Sequence, residues 1–129
     1  MAALRDLASN LSVVESIRPA VHTATIEGET VDMRGYSSAM FAISVGAVAG
    51  SGDFTLKLEE SDNGSGWTDV AAGDIAGTLP AALAANTALK VGYHGSARYV
   101  RATSTKNSGT SVAHAALAVL GHAAQAPAA

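Results

Sequence analysis

Residues 54–70, FTLKLEESDNGSGWTDV, decide the fold class. Successive side chains of an extended strand point to opposite faces, so Phe54, Leu56 and Leu58 share one face, while Asp53, Thr55, Lys57 and Glu59 share the other. One face belongs to a core and the other to water. The run Asp62-Asn63-Gly64-Ser65-Gly66 follows, rich in residues that tolerate a positive φ or bond their own backbone, and a second short run opens at Trp67. The segment therefore reads as a β-hairpin with a loop longer than two residues.

The same period continues outward. Towards the carboxyl end, Leu89, Val91 and Tyr93 alternate, then 98–105 and 110–120. Between the hairpin and these strands lies AAGDIAGTLPAALAAN (71–86), which is either an ordered loop or a loop holding one helical turn at Pro80–Ala85. Towards the amino end, Ala39, Phe41, Ile43 and Val45 share a face within 38–45, and the glycine-rich 46–52 reads as a connector between antiparallel neighbours. Short runs at 31–34 and 21–26 precede it. Val13, Glu15 and Ile17 lead into Pro19, which has no N–H to give a sheet and so marks an edge or a break. The first eleven residues form an arm, helical through Leu4, Leu7 and Leu11 or extended, expected to order against a partner.

The run at 110–120 has an unusual pattern. Ala113, Ala115, Leu117 and Val119 fill one face, and Val112, Ala116, Ala118 and Leu120 make the other nearly as apolar, interrupted by His114. Such a strand is covered on both sides or contributes to a subunit interface. Eight or nine short strands predict an all-β chain, an antiparallel β-sandwich that is jelly-roll-like. The expected organisation is an arm at 1–11, a sandwich domain at 12–121 and a tail at 122–129. Strand order does not follow from the sequence.

Composition bounds the function. The chain has 129 residues, 48% hydrophobic but only 5% aromatic, so its core is built from small and β-branched side chains around Phe41, Phe54, Trp67, Tyr93 and Tyr99. Trp67 is expected to be a buried anchor. Charged residues are 15% and the net charge is −3, which leaves no basic patch for phosphates and argues against direct nucleic-acid binding. Cysteine is absent, so disulfide and thiolate chemistry are excluded. The amino end carries Arg5 and Asp6 without a long apolar stretch and does not read as a signal peptide, and no membrane span is indicated.

Candidate chemistry is thin. His22, His94, His114 and His122 have no pair at the spacing of three to five that metal sites on one element use. Glu59, Glu60, Asp62 and Asp69 flank the hairpin turn without the order of a helix-loop-helix calcium site, and no serine sits in a Gly-x-Ser-x-Gly elbow. The chain is read as non-enzymatic, with no cofactor and no metal. Arg98 and Arg101 bracket Tyr99 and Val100, a spacing of three that puts them on opposite strand faces, so one is expected to pair with a nearby carboxylate and the other to lie on a partner-facing surface.

LEESDNGSGWTDVAAGDIAG (58–77) and KVGYHGSARYVRATST (90–105), with LRDLASNLSVVESIRPAV near the start and LAVLGHAAQAPA at the end, together resemble small structural proteins of tailed bacteriophages. The resemblance covers most of the chain and is closest to capsid decoration or cement proteins. It implies a virion protein on the capsid surface, made in the host cytoplasm, that binds the major capsid protein and self-associates as a homo-oligomer. A head–tail connector or tail protein is the alternative within that class. Ser61-Asp62-Asn63-Gly64 before Trp67, with Arg98-Tyr99-Val100-Arg101, also resembles discoidin-type carbohydrate-binding sandwiches, though this chain lacks their paired cysteines. In that reading the loops 62–66 and 94–97 hold polar ligands. Candidate partner-contact residues are Leu4, Leu7 and Leu11 of the arm, Arg98 and Arg101, and Val112, His114 and Leu120 of the doubly apolar strand.

Overall fold

Period-2 alternation produces ten strands in the computed structural model, which describes residues 6–123. They are β1 (Ser12–His22), β2 (Ile26–Glu27), β3 (Val31–Asp32), β4 (Tyr36–Ala49), β5 (Asp53–Ser61), β6 (Thr68–Asp69), β7 (Ile75–Ala76), β8 (Thr87–Tyr93), β9 (Tyr99–Ser108) and β10 (Ser111–Ala123). One antiparallel sheet has the order β1-β10-β4-β8-β7; the other has β2-β9-β5-β6, with β3 also on β9. The pairings nest: β1 with β10, β2 and β3 with β9, β4 with β8, β5 with β6. That nesting, closed by β10 on β4 and β9 on β5, is the wrapped double hairpin of a jelly roll. The all-β sandwich expected from the sequence is the fold.

The core lies between the sheets. Phe54, Leu56 and Leu58 of β5 face Ala39, Phe41, Ile43 and Val45 of β4, with Val91 and Tyr93 of β8, Val100 and Ala102 of β9, and Ile17 of β1 completing it. Two of the expected aromatic anchors stand elsewhere. Trp67 and Tyr99 are only half-buried, because the β5–β6 pairing carries Trp67 to the outer side of its sheet. Leu83 takes part of their place: its side chain is buried and its N–H donates to the Phe54 carbonyl at 3.0 Å. The segment 71–86 is thus ordered but is not loop throughout, since Ile75–Ala76 form β7 and pair with β8. A short 3₁₀ turn occupies Ala72–Asp74 rather than Pro80–Ala85.

Several boundaries differ from expectation for local reasons. β4 continues through Gly46 to Ala49, and the reversal is confined to Gly50 and Ser51, both at φ 57°. Two consecutive left-handed residues make this turn, and Gly52 N–H closes it on the Ala49 carbonyl at 3.1 Å; it does not join antiparallel neighbours as expected, because β4 and β5 lie in different sheets and the turn carries the chain from one to the other. Of the edge or break expected at Pro19 the edge is found: β1 runs through the proline to His22. It tolerates proline because it is an edge strand and its register on β10 shifts between Ile17 and Ala20. β10 extends to Ala123, so the expected tail loses His122 and Ala123 to the sheet; 124–129 lie outside the described residues. In the arm, Ala8–Asn10 form a 3₁₀ turn and Leu11 is already extended.

At the β1 shift, Ser16 turns inward and ties the sheets together. Its hydroxyl accepts from Ala102 N–H at 2.9 Å and donates to the Glu29 carbonyl at 3.1 Å, while Glu29 N–H returns to the Ser16 carbonyl at 2.6 Å. Gly28 lies in the same knot, donating to the Ala102 carbonyl at 2.8 Å with no room for a side chain.

Candidate functional site

The structure divides the expected contact residues into three groups. Val112, His114 and Leu120 face the sandwich interior at 0%, 3% and 2% exposure, so they are not contact residues: β10 turns its even-numbered side chains inward. Arg98 and Arg101 are held by carboxylates. Arg98 grips Asp32 with Nε at 3.1 Å and Nη2 at 3.0 Å, and this hydrogen-bonded guanidinium holds the Asp32 carboxyl below its ordinary range. Arg101 Nε donates to Glu59 Oε1 at 3.0 Å, its Nη2 stands 3.6 Å from Glu27, and the guanidinium covers the Trp67 ring. Of the arm, Leu4 lies outside the described residues, Leu7 is 67% exposed, and Leu11 packs against Gly121 of β10.

His114 is in the core because the core supplies both its partners. Nδ1 lies 3.0 Å from the Val112 carbonyl and Nε2 2.9 Å from the Ser104 hydroxyl, which assigns a neutral ring donating from Nδ1 and accepting at Nε2. Burial lowers its pKa, with a smaller push from His22, whose ring centroid is 4.6 Å away.

The two outer faces of the sandwich differ in chemistry. On the β9–β5–β6 side, Arg101, Glu59, Lys57 and Asp69 form a linked charge network, with Lys57 Nζ 3.1 Å from Asp69 and 3.7 Å from Glu59. The outer face of β1-β10-β4-β8 is apolar instead. Its register sets side chains in rows, two across four strands, Val13, Val119, Met40, Gly92 and Glu15, Leu117, Ala42, Lys90, and one across three, Ala115, Ser44, Ala88. Val13 and Val21 project from β1 at 61% and 65% exposure. Beside Val21 a shallow groove of about 380 Å³ opens where the β1 shift separates Pro19 and Ala20 from Ser44 and Ala115. The sequence analysis identified this strand as doubly apolar but assigned contact to its inner residues; the outward set is Ala113, Ala115, Leu117 and Val119.

A second concavity, about 280 Å³, gathers the two loops singled out from the sequence. Asp62 and Gly66 of the hairpin turn meet Ser96 and Ala97 of the β8–β9 loop, with Glu60, Thr68 and Asp74 between. Asn63 shapes its rim by accepting from Ser65 N–H at 2.9 Å and Gly66 N–H at 3.0 Å. Tyr93 ties two of its lining residues together: the hydroxyl donates to Glu60 Oε1 at 2.6 Å and accepts from Ala97 N–H at 3.1 Å. Burial, then the Glu60 carboxylate, pushes the Tyr93 phenol well up, so it stays protonated.

Among the described residues no group of three or more His, Cys, Asp or Glu stands together as a metal site, and no helix is long and apolar enough to cross a membrane. No protein-family model, curated protein or solved structure matches this chain.

Proposed function

We propose that this chain is a non-enzymatic structural protein of a tailed-phage virion, which decorates or cements the capsid shell through assembly on one face of its sandwich. The observation that carries the reading is the apolar outer face of β1-β10-β4-β8, an uncharged centre framed by Glu15 and Lys90, on a molecule whose opposite face is a closed charge network. An apolar sheet face that no other element of the fold covers marks an interaction surface. The jelly-roll wrap is compatible with a shell component, since capsid proteins use it, although lectins use it too. The phage likeness of the sequence supplies the setting, with the major capsid protein as partner and a shell that multiplies modest contacts by repetition.

The test is a phage deleted for the gene, imaged by cryo-microscopy, together with co-sedimentation of the purified protein with the deleted heads. Loss of outer head density and its restoration by added protein are expected. Intact density, or a missing tail in its place, overturns the reading and favours a connector or tail protein.

A discoidin-like carbohydrate-binding module is the second reading, favoured by the polar concavity between the loops at 62–66 and 94–97. A glycan array answers it: a signal abolished by Asp62→Ala, with no binding to heads, selects the module.

A further inference from the structure

The rows on the apolar face are self-complementary. We propose that two copies of this chain pack face to face through β1-β10-β4-β8, related by a two-fold axis that runs along the strands between β10 and β4. The proposal rests on the reading of that face as an assembly surface and names its occupant as a second copy.

Rotation about this axis keeps position along the strands and exchanges the two sides of the sheet. β1 then lies over β8 of the partner subunit, and β10 over β4 of the partner subunit. Each row meets its own reverse. In the second row Leu117 falls on Ala42 of the partner subunit and Glu15 on Lys90 of the partner subunit, both twice by symmetry. In the first row Val119 meets Met40 of the partner subunit, and the protruding Val13 meets Gly92 of the partner subunit, which has no side chain to oppose it. Leu117 thus meets a small partner and Val13 an empty one, while Val119 and Met40 meet as an apolar pair, a mixture of sizes that lets two sheets approach to about 10 Å.

The charges select this arrangement over others. Glu15 and Lys90 carry opposite signs on the same row, three strand spacings or about 14 Å apart, and neither joins any ion pair among the described residues. A two-fold axis across the strands instead of along them would lay β1 over β1 and β8 over β8, leaving both charges without opposite partners. With the axis along the strands, two Glu15–Lys90 pairs form at the rim, where charge fixes register and partner choice more than affinity.

Sedimentation equilibrium of the purified chain tests the arrangement. The wild type is expected to dimerise reversibly. Glu15→Lys and Lys90→Glu should each raise the dimer Kd by more than about tenfold, because like charges replace both rim pairs, and the Glu15→Lys/Lys90→Glu double variant should return to wild-type affinity. Leu117→Asp should leave a monomer. Far-UV circular dichroism and melting of each variant confirm that the sandwich is intact, and the double variant serves as an internal control for folding. A wild type that stays monomeric, single reversals without effect, or a double variant that fails to recover overturns the dimer. Co-sedimentation with deleted heads separates this from the function: a monomeric wild type that binds heads and loses them with Leu117→Asp refutes the dimer alone, whereas a dimer with this charge pattern that ignores heads refutes the capsid role alone.

Discussion

The guanidinium carbon of Arg101 lies 4.2 Å from the centroid of the Trp67 ring, on the outer side of the sheet. The largest side chain of the molecule is thus a cover for an arginine, and the arginine is in turn held by Glu59 at 3.0 Å. A stacked, half-buried tryptophan gives less to stability than one in a core, since a cation–π contact at a partly exposed site contributes about 0.5–2 kcal/mol.

Trp67→Ala is accordingly expected to cost about 1–2 kcal/mol, whereas Phe54→Ala, which empties a fully buried site, should cost about 3–5 kcal/mol. Urea denaturation midpoints of the two variants check the order. Equal losses would mean that Trp67 shares the core.

Ser16→Ala removes a hydroxyl that serves two backbone groups at once, the Ala102 N–H and the Glu29 carbonyl. The Ala102 bond is buried, so without the hydroxyl the N–H loses its acceptor and water does not replace it. The expected cost is about 1–3 kcal/mol, the penalty of a buried polar group left unsatisfied. Hydrogen exchange at Ala102 reports it locally, and an unchanged rate there would refute the account.

Period-2 alternation made β4, β5 and β8 legible, because a strand with one wet face declares its orientation: Phe54, Leu56 and Leu58 point inward as the sequence implies. β10 was legible as a strand but not in its facing. Both its faces are apolar, and His114 marks the polar one only if no buried partner exists; Ser104, on a different strand, is that partner. Trp67 misleads for a similar reason, since size argues for burial while its position depends on Arg101, distant in sequence. Of the candidate sites, the two pocket loops were visible as polar turns, but their meeting depends on strand order. The apolar rows depend on register, which a single chain does not reveal.

Glu59 Oε1 accepts from both Arg101 and the Thr103 hydroxyl at the centre of the charged face. Burial pushes this carboxyl up, but the Thr103 and Arg101 bonds and the nearby Lys57 outweigh it, so its pKa lies below the ordinary value. A carboxylate with a depressed folded pKa stabilises above its unfolded pKa, and that contribution fades as pH falls through the folded value. Glu59→Gln is expected to destabilise by about 1–3 kcal/mol at pH 7, the range for hydrogen bonds to a charged group. The gap from wild type should narrow below about pH 4.5. Melting curves of both proteins from pH 7 to pH 3 measure the gap, and a constant difference would exclude the ion pair as its cause.

His114 acts in a higher pH window. Its ring is 3% exposed, Nε2 accepts from Ser104, and burial holds its pKa below the ordinary histidine value. Protonation would put a second donor against the Ser104 hydroxyl and a charge in the core, 4.6 Å from the His22 ring and 5.4 Å from Phe54. With the folded pKa below the unfolded one, the unfolded chain binds the extra proton first, so stability rises with pH across the interval between them. The contribution is complete above about pH 6.5, the unfolded value, and is lost as pH falls through the folded one. His114→Gln keeps a polar side chain beside Ser104 but does not titrate. Wild type is therefore expected to lose stability between pH 7 and pH 5 while His114→Gln stays nearly level, the two curves converging as the pH drops. Denaturant midpoints at half-unit intervals resolve this, and parallel curves across the window would show that His114 is not the group that titrates.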